Sequence, residues 1–225
     1  MHRALYIFYM HYEVTGTDNK NRPRWFDYES CFKTLLDTLP SDINLHLIMD
    51  GTIKNNWIHK YKDRYHLWEV NGGSMTGTAM EMYKIANSMD SSERDLFYFL
   101  ENDYLHVDGW LQRVFHLYKM YGEGLSYVSL YDHRDKYIHY QELASKIFCD
   151  DHIHWRTVPS TCGSFITTSK VFKEDYVDFT TVIGDHNKWL HLSETKGRFI
   201  ITPIPGLSTH CMEGLLSPTI NWEEV

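Results

Sequence analysis

Apolar positions fall into short runs of two periods, and the two kinds alternate through the first half of the chain. Residues 3–10 read as a first strand, followed by the polar loop EVTGTDNKNRPR. Cys31, Phe32, Leu35, Leu36 and Leu39 recur at helical spacing, and Pro40 stops that helix. INLHLIMDG reads as a strand closing in an Asp50-Gly51 turn. NNWIHKYKDRY predicts a short helix and YHLWEV a third strand. NGGSM forms a glycine loop before a helix from Thr76 to Met89. Leu96, Phe97, Tyr98, Phe99 and Leu100 make a run too short for a typical helix and rich in strand formers. It is apolar on both faces, as expected of a central strand covered by helices on each side. A helix starting near Asp108 follows, carrying Trp110, Leu111, Val114, Phe115 and Tyr118.

The second half is mixed. LSYVSLYD reads as a strand and residues 132–150 as irregular or partly helical. IHWRTV and GSFITT read as a strand pair, with a short helix at SKVFKED. GDHNKWLHLSETKG predicts a helix stopped by Gly197, RFIITP a last strand, and PIPGLSTHCMEGLLSPTINW an extended tail. The alternation predicts an α/β fold: a central mixed, mostly parallel sheet flanked by helices.

Composition narrows the function classes. A chain of 225 residues, 43% hydrophobic, supports one domain with a substantial core and excludes disorder. The formal charge of −8 argues against nucleic-acid binding, which needs a basic face. It leaves room for a nucleotide whose phosphates a metal neutralises. No apolar run approaches the roughly 20 residues of a transmembrane segment. ALYIFYM lacks a small-residue cleavage site, so a strand is expected rather than a signal peptide, and a cytoplasmic location with it. Cys31, Cys149, Cys162 and Cys211 are scattered without a C-x-x-C pair, as expected of free thiols in a reducing compartment. His152 and His154 lack a third ligand nearby and fit one face of a strand.

The candidate chemistry sits where strands end. The run Leu96–Leu100 breaks into Glu101, Asn102 and Asp103, and α/β sheets bind ligands at the C-terminal ends of their strands. Two carboxylates flanking an amide can hold a hard divalent cation through oxygen, and the cation can neutralise a diphosphate. The same residues also serve as turn and capping residues. Asp50 ends the second strand and Asn71-Gly72-Gly73 the third, so three polar strand ends share one sheet edge. Asp50 is suited to accept from a base or ribose, or to close an Asp-Gly turn. Gly72 and Gly73 would let the backbone approach a ligand, or simply turn strand into helix. No Walker lysine follows, which excludes a P-loop.

Taken in order, these segments resemble a small GT-A glycosyltransferase, the class that moves a sugar from a nucleotide diphosphate. The resemblance runs from the first strand to His210. FYFLENDYLHVDGWLQRV looks like that family's D-x-D strand and helix, with Glu101 in place of the first Asp. TCGSFITTSKVFKED is similar to the segment behind the acceptor site. GDHNKWL resembles the motif that supplies the catalytic base in inverting members, with Gly184 in place of an acidic neighbour of Asp185. PIPGLSTHCMEG is similar to the C-terminal Pro-x-Leu-x-x-His element, with His210 matching the late metal-binding histidine.

The resemblance implies a single domain, with residues 1–107 binding the nucleotide sugar and 108–225 binding the acceptor and carrying the metal-ligand tail. Asp103 and His210 would bind Mn²⁺ or Mg²⁺, the histidine nitrogen favouring Mn²⁺. Glu101 would act through water or the ribose, and Asn102 lies between the two acids. Asp185 would be the base of an inverting transfer from a UDP-sugar to a carbohydrate or other hydroxyl acceptor. Asp132, His133, Trp155 and Trp189 would contact that acceptor. Two other readings remain: a sugar nucleotidyltransferase, whose phosphate loop Gly16-Thr17 with Arg22 and Arg24 resembles without its closing lysine, and a non-catalytic carbohydrate-binding protein of the same fold.

Overall fold

The Leu96–Leu100 run becomes the interior of a nine-stranded sheet. The computed structural model describes residues 3–12 and 19–225; Gly16 and Thr17 lie outside them. Its first half runs β1 (Leu5–Tyr12), α1 (Tyr28–Asp37), β2 (Asn44–Asp50), β3 (His66–Val70), α2 (Met75–Ser88) and β4 (Leu96–Glu101). A 3₁₀ segment, Trp57–Arg64, links β2 to β3. Next come β5 (Tyr104–His106), α3 (Trp110–Tyr121), β6 (Tyr127–Val128), α4 (Asp135–Ile138), β7 (Ile147–Cys149) and β8 (His154–Val158). The chain then forms β9 (Phe165–Thr168), α5 (Ser169–Thr181), α6 (Asp185–Lys196), β10 (Ile200–Ile204) and β11 (Ser208–His210).

The sheet order is β3-β2-β1-β4-β9-β6-β10-β8-β7. β1 to β4 are mutually parallel, and β9 enters antiparallel to both β4 and β6. Successive residues of β1 and β4 face opposite layers. Ile7, Tyr9, Tyr98 and Leu100 join Phe32 and Leu35 of α1 and Trp110 and Val114 of α3. Phe8, Phe97 and Phe99 join Met82 and Tyr83 of α2, Phe172 and Phe179 of α5, and Trp189 of α6. Both faces are therefore core, which explains why the sequence shows a continuous apolar run there.

Three expectations change. IHWRTV and GSFITT form strands but do not pair: β8 lies between β10 and β7, and β9 between β4 and β6. All four residues of β9 are buried, a demand that a central position meets and a peripheral hairpin does not. The helix at SKVFKED continues to Thr181, because Phe179 fills the second core. RFIITP is not the last strand: β11 follows and pairs antiparallel with β5, matching Ser208 to His106 and His210 to Tyr104. Among the described residues, no helix is long and apolar enough to cross a membrane.

Candidate active site

The parallel strands bring the ends of β2, β3 and β4 to one edge, which borders a cavity of about 550 Å³ lined by Lys20, Asp50, Gly73, Ser74, Glu101 and Asn102, among others. Asp50 organises its far wall. Its Oδ1 accepts from the Gly72 N–H at 2.9 Å and the Gly73 N–H at 3.3 Å, and its Oδ2 from the Thr78 hydroxyl at 2.7 Å. The glycines are required for different reasons. A Cβ on Gly72 would lie 2.3 Å from the backbone nitrogen of Thr78, so the loop packs directly on the first turn of α2. Gly73 has φ +66°, where side chains are strained. The close approach served at Gly72 is thus to the protein's own helix.

Beyond Glu101 the chain turns into β5, and the β5–β11 pairing brings His210 alongside Asp103. The Cys211 N–H donates to the Asp103 carbonyl at 2.9 Å, which fixes that alignment. Asp103 is fully buried, and its Oδ2 accepts from Lys20 Nζ at 2.6 Å, Arg22 Nη2 at 2.9 Å and His210 Nε2 at 3.0 Å. Burial alone would raise the Asp103 pKa. The hydrogen bond and charge of His210, then those of Lys20, outweigh it and hold the carboxyl well below the usual range. Since Asp103 is therefore an acceptor only, His210 carries its proton on Nε2. His210 stacks flat on Tyr104, the ring centroids 5.1 Å apart.

Glu101 behaves oppositely. Burial, then the negative charge of Asp103, pushes its carboxyl up to about 7. It packs against Gly163, where an added Cβ would sit 3.3 Å from its carboxylate carbon. Asn102 is spent on structure. Its Nδ2 donates to His11 Nδ1 at 3.0 Å, so His11 carries its hydrogen on Nε2, facing Asn56 Oδ1 at 3.2 Å. Burial lowers the His11 pKa to about 4, which keeps this relay neutral.

A second cavity, about 220 Å³, adjoins the first. The two share Met10, Met75 and Glu101, and the second is also lined by Gly163, Asp185 and Lys188. Asp185 is the first residue of α6. The N-cap position is Gly184, at φ +84°, with no side-chain cap bond, so the carboxylate is not consumed as a cap. Asp185 is exposed to solvent, and partial desolvation by its neighbours raises its pKa against the opposing charge of Lys188. Glu101 thus stands in the wall between a nucleotide-sized cavity and one holding Asp185.

No family model matches the sequence, and no curated protein matches it. Solved structures do match. TarS of S. aureus aligns with 88% of this chain and 57% of its own at a TM-score of 0.53 and 10% identity. CMP:2-keto-3-deoxy-manno-octonic acid synthetase, complexed with CTP, aligns with 90% of this chain and 92% of its own at a TM-score of 0.51 and 10% identity. For 4-diphosphocytidyl-2C-methyl-D-erythritol synthase both shares are 86%, with a TM-score of 0.50 and 5% identity. The fold is of the GT-A type. The chain spans little more than half of the TarS chain.

Within this GT-A frame, the structure brings Glu101, Asn102, Asp103 and His210 together, with Asp50 and Gly73 on the far wall, Gly72 packed against α2, and Asp185 lining the adjoining cavity. Four expected acceptor contacts are otherwise engaged. Trp155 is fully buried, and Trp189 is buried against Phe165 and Phe179 with its Nε1 donating to the Thr161 carbonyl. Asp132 accepts from Arg156 and from Tyr137, both at 2.6 Å, and His133 is buried against Tyr131. Lys20, by contrast, enters the site although the sequence gives it no such role, and Arg22, read there only as part of a nucleotidyltransferase-like phosphate loop, enters it as well. The only signal was two basic residues in the loop facing the acidic strand end.

The arrangement also fits a divalent cation. Among the described residues, the buried Asp103 Oδ1 and Glu101 Oε2 have no hydrogen-bond partner. His210 Nε2 and Asp103 Oδ2 are 3.0 Å apart, about the spacing of neighbouring ligands on an octahedral ion with bonds of about 2.1 Å, and Nε2 would give up its proton to the solvent on taking the ion. Among the described residues no three His, Cys, Asp or Glu converge as a closed metal cage. A cation here would rely on one carboxylate, one imidazole and outside oxygens, as in sites completed by substrate phosphates.

Proposed function

We propose that this chain is a metal-dependent, inverting glycosyltransferase acting on a nucleoside diphosphate sugar, with a UDP-sugar as the first candidate and a hydroxyl-bearing acceptor. The carrying observation is that Glu101 lines both cavities, with Asp185 lining the smaller one and the buried Asp103 carboxylate bonded to Lys20, which lines the larger. The larger cavity is of the size that takes a nucleotide-scale ligand. Asp50 holds the Gly72-Gly73 loop in place as its wall. Asp103 and His210 would hold Mn²⁺ or Mg²⁺, and Glu101 would bind through water or the ribose. When bound, the cation supplies stabilisation of the charge developing on the leaving diphosphate. Asp185 takes the proton from the acceptor hydroxyl as its oxygen attacks the anomeric carbon. A base on the acceptor side and no covalent intermediate yield inversion.

The test is incubation with a panel of nucleotide sugars and glycan acceptors, following nucleoside diphosphate release and the product's anomeric configuration by NMR. Diphosphate release with an inverted product is expected. Retention would overturn the role of Asp185. Pyrophosphate from a nucleoside triphosphate and a sugar phosphate would instead assign the nucleotidyltransferase chemistry found on the same fold. Glycan binding without turnover of any donor would assign a carbohydrate-binding protein.

A further inference from the structure

The smaller cavity carries a buried cation that the fold leaves without a counter-ion. Lys188 lies one turn on from Asp185 in α6, is only 7% exposed, and lines that cavity. Its ammonium sits over the rings of Tyr83 and Phe179, 5.3 Å from each centroid. Among the described residues it has no hydrogen bond or ion pair. Asp185 acts on it only at longer range, and is itself exposed to solvent. Aromatic faces attract a cation but bring it no opposite charge. A lysine is almost never this buried unless paired, and burial draws the Lys188 pKa below the ordinary lysine value. Gly184 lines the same cavity and, as the N-cap, offers no side chain to the first N–H groups of α6. The positive end of that helix therefore borders the space as well.

We propose that Lys188 is the counter-ion of a carboxylate on the sugar held in the smaller cavity, so that the enzyme handles a uronic acid. A neutral hydroxyl would leave the buried charge uncompensated. A phosphate would bring up to two charges to one ammonium, in a cavity that already carries Asp185 and Glu101. A carboxylate brings one, and its hydrogen bond from an ammonium is charge-assisted. Ala79, Met80 and Val182 supply an apolar wall for the C–H face of the ring. The carboxylate belongs either to the transferred sugar or to the acceptor, which meet at Asp185 in the reaction proposed above. The inference rests on that reading and narrows its substrate class.

The experiment is calorimetric titration, with Mn²⁺ present, of UDP, UDP-glucose, UDP-galactose and the two corresponding UDP-uronic acids into wild type and Lys188→Met. Methionine keeps the unbranched stem and removes the charge. A second series, with UDP bound, compares methyl glucuronide with methyl glucoside. One hydrogen bond to a charged group converts to about tenfold or more. Wild type is therefore expected to bind the uronate of one series at least about tenfold more tightly than its neutral counterpart. In Lys188→Met that ratio is expected to fall to about one. Preference among the donors places the carboxylate on the transferred sugar, and preference among the glycosides places it on the acceptor. A purely structural Lys188 would weaken both members of a pair alike and leave the ratio unchanged, which overturns the assignment. Equal binding of uronate and neutral sugar by wild type in both series overturns the counter-ion role, whether or not Lys188→Met folds in a thermal melt. Failure of wild type to bind UDP at all overturns the UDP-sugar reading, and this inference with it.

Discussion

Replacing Glu101 by Gln tests the electrostatics of the strand end without changing its shape. Burial and the charge of Asp103 move the Glu101 carboxyl from an ordinary 4.5 to about 7. Between those two values the native state holds a proton that the unfolded chain has released, so stability falls as pH rises through this window and levels off above it. At about 1.4 kcal/mol per pH unit, the fall amounts to at most about 3 kcal/mol. Gln does not titrate, so the variant lacks this loss. His11 and His46, lowered by burial to about 4, act with the opposite sign over much of the same range. They act equally in both proteins, and the comparison cancels them. The assay is urea unfolding of wild type and Glu101→Gln from pH 4.5 to 8, with chelator present throughout. The variant should gain on wild type by about 2–3 kcal/mol between pH 4.5 and 7.5. Parallel stability curves would refute the reasoning: Glu101 would then ionise normally, and Asp103 would exert no repulsion on it.

Two further outcomes follow from the same geometry. Asp185→Asn should lower turnover by about 100-fold or more while leaving UDP affinity within about twofold, read by steady-state kinetics and calorimetry. A change confined to KM would make Asp185 a binding residue only. Gly72→Ala places a Cβ 2.3 Å from the Thr78 nitrogen and should cost about 2–3 kcal/mol in urea unfolding. Gly124→Ala, where nothing lies within 4 Å, should change stability far less; equal costs would contradict the packing account.

The legible parts of this molecule are those that local patterns dictate. The double-faced burial of β4 requires an unbroken apolar run, and Gly197, at φ +63° in the C-cap of α6, ends that helix as expected. The acidic strand end and His210 were also visible, although only the three-residue β11 pairing with β5 joins them, and a strand that short has no readable period. Strand partners were not legible. Alternation marks β8 and β9 as strands, yet which neighbour each one takes depends on which faces must be buried. The aromatic residues Trp155 and Trp189 suit a sugar platform by composition, but tertiary packing claims both. The role of Lys20 depends on where an aperiodic loop passes, and no spacing rule encodes that. Gly72 was recognisable as a needed glycine, whereas its partner, the first turn of α2, appears only once the loop is folded.

The central claim is a diphosphate site built on Asp103. The most direct measurement is calorimetric titration of UDP into wild type and Asp103→Ala, first with Mn²⁺ and then with chelator. The account predicts binding that requires both the metal and Asp103. UDP binding of equal strength in chelator, or in Asp103→Ala, would contradict the roles given to Asp103 and His210, and failure of wild type to bind UDP with Mn²⁺ would contradict the choice of nucleotide.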